Sequence, residues 1–401
     1  MTSKLRKPSR LHGSVLPAVA AAALNRSTAQ ALAQHSSTSI ITTLVEAHTT
    51  GSAPYAMSRN LNGDLLIPCN QSHTVYSIEA DSNVVTTVAG TGTYGHAGDG
   101  GLATLAKLRS PTFAMPDSMG NILVGGDATI RRIDASTGVI STVVGRDFVY
   151  TNSGDGGSPL VATLGEPAAA VFTNKKLYFV DSSYGVIRFV DFAGDFIDLT
   201  AGTGTNAPYN GENIAALTAN LCIPSGIVVD GAGNIYVTVT GHHIIRKITL
   251  DGKINTIAGI PKCAGFSGDG GSALAANLSA PKGLAMDDAG DLYFSDRGNY
   301  RVRKISKAGI ISTVLCNGTN ADHGDGLSSE FTAVQAPAGV FIDNDGALLV
   351  STADGAVRRI LSLALTLAPM TNKPVQNQFF TLMATLGTAE RNNPDNLQTR
   401  R

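Results

Sequence analysis

Apolar runs of about five residues, parted by short polar breaks that contain glycine, recur along most of this chain, and that rhythm predicts antiparallel strands joined by hairpins. It is clearest from Ala280 to Gly318. Four runs lie there: Gly283–Met286, Asp291–Ser295, Arg301–Ile305 and Ile310–Leu315. The breaks between them are Asp287-Asp288-Ala289-Gly290, Asp296-Arg297-Gly298-Asn299 and Ser306-Lys307-Ala308-Gly309. Four such strands make one small sheet, and a sheet that size cannot bury both its faces without neighbours of the same kind.

The sequence supplies the neighbours. Each copy opens on a proline, at Pro54, Pro111, Pro167, Pro224, Pro281 and Pro337, spaced by 57, 56, 57, 57 and 56 residues. Inside the copies, the turn and second strand of Asp117–Val124 align with Asp230–Val237 and Asp287–Phe294. The third runs align through Arg-rich cores: Ile130-Arg131-Arg132-Ile133, Val186-Ile187-Arg188-Phe189, Ile245-Arg246-Lys247-Ile248, Val302-Arg303-Lys304-Ile305 and Val357-Arg358-Arg359-Ile360. Fourth runs such as Val85–Gly90, Ile140–Gly145 and Ile254–Gly259 align as well. Six copies of four strands predict an all-β, six-bladed β-propeller of four-stranded antiparallel blades over residues 40–360.

The recurring Asp-x-x-Gly-Asn-Leu-Tyr turn and strand, the Gly-Asn hairpin, the Arg-hydrophobic-Arg-Lys-Ile run and the hydrophobic-x-Thr-hydrophobic-Ala-Gly ending resemble the NHL-repeat family, in its long-loop form with Gly-Asp-Gly-Gly inserts. The resemblance implies a six-bladed propeller. Two places depart from the pattern: the first repeat ends its second strand on Pro68-Cys69, and the third carries Asn174-Lys175-Lys176 where the turn is due.

The ends carry a different pattern. Ile40–Val45 reads as a fourth strand with no three strands before it, and the sixth repeat supplies only Ala338–Asp343, Ala347–Thr352 and Ala356–Ile360. The N-terminal strand is therefore expected to complete the sixth blade and remove the open sheet edges, with Leu363–Leu367 as the rival for that place. Residues 1–39 form a leader or disordered segment: Lys4, Arg6, Lys7 and Arg10 precede the apolar Val15–Leu24, and Ala31 and Ala33 suit a cleavage site. Export is the first expectation, with organellar or cytoplasmic residence as alternatives. The triplets at Asn70, Asn277 and Asn317 are glycosylation acceptors in form. Residues 361–401 read as a flexible tail.

Composition narrows the partners. Of 401 residues 43% are apolar and 15% charged, with a net charge of −1, which argues against a nucleic acid or an anionic membrane. No run is long enough to span a bilayer. Cys69, Cys222, Cys263 and Cys316 are far apart, which excludes a zinc ribbon, a thioredoxin motif or a RING module.

A four-stranded meander places the loop between strands two and three on the same face as the linker from blade to blade. The linkers Thr91–Leu108, Arg146–Glu166, Thr203–Leu221, Ile260–Ala280 and Thr319–Ala336 are the long ones, and they predict one loop-rich face. Asp99, Asp155, Asp269 and Asp325 sit in Gly-Asp-Gly motifs there, with Asn210-Gly211-Glu212-Asn213 in the remaining linker. Such carboxylates could hold calcium or a cationic group. Their repetition favours a structural role, each capping its own turn. His48, His73, His96, His242, His243 and His323 fall on the same face, where three could hold zinc with a water. A six-bladed NHL-type lyase resembles that arrangement, although its ligand motif aligns with no residue here. The third-strand Arg132, Arg188, Arg246, Arg303 and Arg359 are expected to pair with second-strand acids such as Asp127, Asp181, Asp296 and Asp354, or to stack along the blade surfaces.

The chain has no Gly-x-Ser-x-Gly, His-Glu-x-x-His or P-loop motif. The expected function is thus a monomeric, non-catalytic module without a cofactor that binds a protein or peptide. Its binding residues are expected among Asp99, Asp155, Asp269, Asp325, His242, His243, Asp296 and Arg297. A metal-dependent lyase or hydrolase at the channel mouth, using zinc or calcium, is the second reading, and RNA binding the third.

Overall fold

The computed structural model describes residues 38–45, 54, 56–80, 82–126, 128–321, 325, 329 and 332–363. Six sheets follow one another along the chain. Blade 5 shows the plan: Pro281–Met286, Leu292–Asp296, Arg301–Ile305 and Ile311–Leu315 lie side by side in chain order. The strands are buried or half-buried along their length, as packing between two neighbouring blades requires. The first strands of consecutive blades contact one another and line a central channel. Among the described residues no helix is long and apolar enough to cross a membrane.

The core is divided into six apolar clusters, each shared by adjacent blades. Ile245, Leu284, Phe294 and Ile311, for example, join blades 4 and 5. The sixth sheet is built from Val340–Ile342, Leu348–Ser351 and Val357–Leu363, with Thr38–Val45 antiparallel to the last of these. Ile41 stands opposite Ile360 and Thr38 opposite Leu363. Residues beyond Leu363 in the rival segment lie outside the described residues, as do most of the leader and the tail.

Hydroxyl groups lock the inner ring. Thr238 Oγ1 accepts the Gly226 N–H at 2.7 Å and donates to the Lys282 carbonyl of the next blade at 2.6 Å. Ser295 does the same between Gly283 and Ala338 at 2.8 and 2.7 Å, and Ser351 between Gly339 and Pro54. This close approach needs glycine: a Cβ on Gly226 would lie 2.4 Å from the Lys282 carbonyl oxygen, and one on Gly283 2.3 Å from that of Ala338.

The two departures from the repeat have local explanations. Pro68 has no N–H to give a neighbouring strand, and the first strand of blade 1 pairs only at Ser58 and Arg59. In blade 3, Asn174 and Lys175 both take positive φ, 49° and 63°, and form a two-residue hairpin loop between paired Thr173 and Lys176.

The long linkers do not simply pile up on one face. Each crosses the outer edge of the blade it leads into. Gly100 and Gly101 exchange backbone hydrogen bonds with Ile140, and Gly270 and Gly271 with Ile311, all at 2.8–3.0 Å. In the fourth blade this contact becomes a fifth strand, Ile214–Ala215 beside Lys253–Ala258. Short 3-10 turns at Ala103–Leu105, Ala216–Thr218 and Ala273–Ala275 then carry the chain back inward. Their alanines are small enough to fill the wedge where two blades diverge, and Ala103, Ala216 and Ala273 are buried there. The edge strands of blades 2 to 5 are thereby covered, which removes rows of unpaired backbone groups.

Candidate functional site

The repeated carboxylates are part of this edge covering. Asp99 Oδ1 receives Arg131 Nε at 2.9 Å, and Asp99 Oδ2 receives the Thr142 N–H of the fourth strand at 2.9 Å. Asp269 repeats both contacts, with Arg303 Nη2 at 2.6 Å and the Thr313 N–H at 3.1 Å. Asp155 meets Arg188 Nε at 2.8 Å. Asp325 meets Arg358 Nη1 at 2.8 Å and the Thr43 N–H at 2.9 Å. Glu212 takes this place in blade 4, accepting the Thr256 N–H at 2.6 Å but standing 3.7 Å from Arg246 Nη2. Burial disfavours the Asp99 charge, but the bonds from Thr142 and Arg131 outweigh it and hold its pKa below the ordinary value.

These contacts correct two expectations. The carboxylates bind the next blade, where capping of their own turns was expected. The arginines that matter in blades 2 and 6 are Arg131 and Arg358, one residue before Arg132 and Arg359, and their partners are the linker acids. Asp181 instead accepts the backbone N–H of Gly165 and Glu166, at 2.7 and 3.1 Å, and Asp354 that of Ala356. Asp296 does reach Arg303, at 3.3 Å, but it also holds the Ser279 N–H and Asn299 Nδ2 at 2.7 and 2.8 Å. It is fully buried, and burial raises its pKa. Asp127 lies outside the described residues.

The described histidines do not converge. His242 is buried, with Nε2 3.1 Å from the Ala207 carbonyl oxygen and its ring edge-on to Tyr209. It occupies the place of Asn299 in the next repeat. His243 accepts the Ala280 N–H on Nδ1 at 3.0 Å. Burial lowers the pKa of both. His96 sits between Thr142 and Asp147, at 3.1 and 3.0 Å, and His73 packs against Tyr94. His48 and His323 lie outside the described residues. Among the described residues, no three His, Cys, Asp or Glu side chains are grouped to hold a metal.

A different cluster stands out on the loop-rich face. Arg109 is buried and lies under the rings of Tyr94, Phe148 and Tyr150, 5.3, 4.4 and 5.5 Å from their centres. Its guanidinium donates to Asp147 at 2.9 Å and to the Tyr94 hydroxyl at 3.0 Å. The three rings remain open to solvent, at 52%, 67% and 44% exposure. Phe148 takes a φ of 59°, a costly conformation for a bulky residue, and it holds the ring outward. Sequence reasoning missed this patch, although Arg146-Asp147-Phe148-Val149-Tyr150 packs two aromatics into a linker of a chain that is only 6% aromatic.

The second concave feature is the channel itself, a cavity of about 390 Å³ bounded by first-strand residues that include Met57, Ile227, Leu284 and Phe341. Glu166 and Lys282 are the charged residues on its wall. Burial, with the charge of Arg297 in support and Glu166 in opposition, lowers the Lys282 pKa to about 8.

Fold and repeats define a class: this is a six-bladed β-propeller, and its repeats are similar to NHL repeats. Residues 259–323, which cover blade 5 and the whole linker before it, match the family described as the Teneurin NHL domain. Teneurin-1 of Mus musculus is 31% identical over 249 residues, covering 55% of this chain and 9% of that protein. Protein SUPPRESSOR OF QUENCHING 1, chloroplastic, of Arabidopsis thaliana is 28% identical over 268 residues, 63% of this chain and 25% of that one. The chain thus spans a small part of these relatives. Among solved structures, an auxiliary nutrient binding protein from Bacteroides thetaiotaomicron superposes with a TM-score of 0.56 at 16% identity, over 80% of this chain and 76% of that one. At that identity the likeness shows the fold alone.

Proposed function

We propose that this propeller is a non-catalytic protein-binding module anchored by Tyr94, Phe148 and Tyr150 around Arg109. The observation that carries the reading is the exposure of three aromatic rings over one buried arginine. Aromatic and Arg side chains dominate the binding energy of protein interfaces because they bury large area with few rotatable bonds. The patch is already ordered by its hydrogen bonds and ring contacts, so little entropy is lost on docking. The likeness to teneurin NHL domains supports an interaction role. Asp99, Asp155, Asp269 and Asp325 are committed to holding the blades, and His242 and His243 to holding loops, so no observation favours the metal-dependent reading. The reading needs no cofactor.

The test is cross-linking of the tagged chain in its native cells, followed by identification of bound proteins. A Phe148→Ala, Tyr150→Ala double variant is expected to lose the partner that the wild type captures. A Met119→Ala, Leu250→Ala double variant, altered at exposed apolar residues on the opposite face, is expected to keep it. Equal capture by both variants would rule the patch out. For the compartment, export with a mature start near residue 34 remains the proposal, and N-terminal sequencing of the native protein decides it.

A further inference from the structure

Repeat symmetry separates structural residues from others in this molecule. Positions filled alike in every blade hold the blades together, and a position filled differently in one blade is free of that duty. The residue after the opening proline is Tyr55, Thr112, Ala168, Ser225 and Ala338 in the other five blades, and a charged residue, Lys282, only in blade 5. The residue after the second strand's last core position is Asn70, Asp127, Ser182, Thr240 and Ala353 in the other five blades, and a cation, Arg297, only in blade 5. Lys282 lies on the wall of the central cavity, and the guanidinium of Arg297 is near enough to act on its charge. The Arg297 Nε is buried without a hydrogen-bond partner. Among the described residues Glu166 is the one acid on the cavity wall, and Ser182 Oγ lies 3.3 Å from its Oε2. Among the described residues, Lys282 with the nearby Arg297 outnumbers Glu166 at that part of the wall. The rest of the wall is largely aliphatic, from Met57, Ile227, Leu284 and Phe341.

We propose that the central channel is a binding site for a small organic anion with an apolar body, its acidic group held by Lys282 with Arg297 and its body lying along the aliphatic wall. The volume suits one such molecule. Desolvation inside the channel strengthens the contact between the acidic group and the ammonium, and a neutral molecule of the same shape gains only the apolar part.

Two fluorescent probes separate the contributions: 8-anilinonaphthalene-1-sulfonate, an aromatic anion, and N-phenyl-1-naphthylamine, its uncharged counterpart. The wild type is expected to bind one sulfonate probe per chain. Lys282→Met is expected to weaken that probe about tenfold, as loss of a charged hydrogen bond does, and to leave the neutral probe within about twofold. Lys282→Arg is expected to keep sulfonate binding. On the wild type itself, raising the pH through about 8 is expected to weaken the sulfonate probe alone, as Lys282 loses its proton near Glu166 and Arg297. That measurement, with Arg297→Gln, stands even if Lys282→Met does not fold. Absence of saturable sulfonate binding, or an affinity indifferent to both pH and Lys282, would overturn the proposal. So would both probes weakening together in Lys282→Met. Phe148→Ala and Tyr150→Ala are expected to leave sulfonate binding unchanged, so the channel and the aromatic patch stand or fall separately.

Discussion

Asp155, in the linker ahead of blade 3, grips the fully buried Arg188 of that blade through Nε at 2.8 Å. The same guanidinium donates to the Thr163 carbonyl at 2.9 Å and the Ser153 carbonyl at 3.0 Å, so one arginine fastens both limbs of the linker to the blade. Asp155→Ala leaves that charge buried without its counter-ion. The expected loss is about 3 kcal/mol of stability, read as a shift of the urea midpoint. An Asp155→Leu, Arg188→Met pair is expected to recover a good part of it, because the cost lies in the stranded charge.

Blade 4 offers the internal comparison. Glu212 stands 3.7 Å from Arg246, whose Nε and Nη1 are buried without hydrogen-bond partners. The ring of Tyr209 lies 5.1 Å from that guanidinium. Glu212→Ala is therefore expected to cost less than Asp155→Ala in the same urea series. An equal or larger loss would show that the longer contact carries as much as the shorter.

Acid is expected to destabilise the propeller through two histidines. Burial lowers the native pKa of His242 and His243 below the ordinary 6.5. Between the two values the unfolded chain binds the proton and the native chain does not, so stability present above pH 6.5 is lost as the pH falls. His242→Asn installs the residue found at the equivalent Asn299. It is expected to flatten the fall of melting temperature between about pH 7 and pH 5. A profile as steep as that of the wild type would place the acid sensitivity elsewhere.

The inner ring predicts a contrast between two glycines. Gly283→Ala drives a Cβ against the Ala338 carbonyl and is expected to cost at least about 2 kcal/mol, with loss of order at the channel. Gly231→Ala meets nothing within 4 Å, in a turn on the outer face, and is expected to change stability by less than about 0.5 kcal/mol. Thermal unfolding of the two variants side by side is sufficient.

How far the sequence reached follows from what kind of contact each feature needs. The opening prolines, the Gly-containing turns and the five-residue strands are set within a few neighbours, and they were legible. Blade 5 shows it, with Arg301–Ile305 as expected and its companions shifted by one or two residues. The Asp-x-x-Gly turns were legible too, because Asp287 Oδ1 accepts the N–H groups of Ala289 and Asp291 within one turn. The partner of each linker carboxylate was not. Asp99 and Arg131 belong to different elements, and the choice of Arg131 over Arg132 depends on which face of the strand turns inward, a matter of register. The aromatic patch was illegible for a related reason: Tyr94, Arg109 and Phe148 come from two linkers that only the ring brings together.

The pairing of Thr38–Val45 with Val357–Leu363 has a consequence for how the protein is made. On a ribosome the first strand emerges early, yet the strand it lies against is almost the last part of the propeller to be synthesised. Five blades can form in turn from local hairpins as they appear, while the sixth waits for both ends of the chain. Through that interval the early strand is an unpaired, apolar edge. The newborn chain is then most exposed to wrong pairing, either with a sibling chain on the same message or with its own later strands.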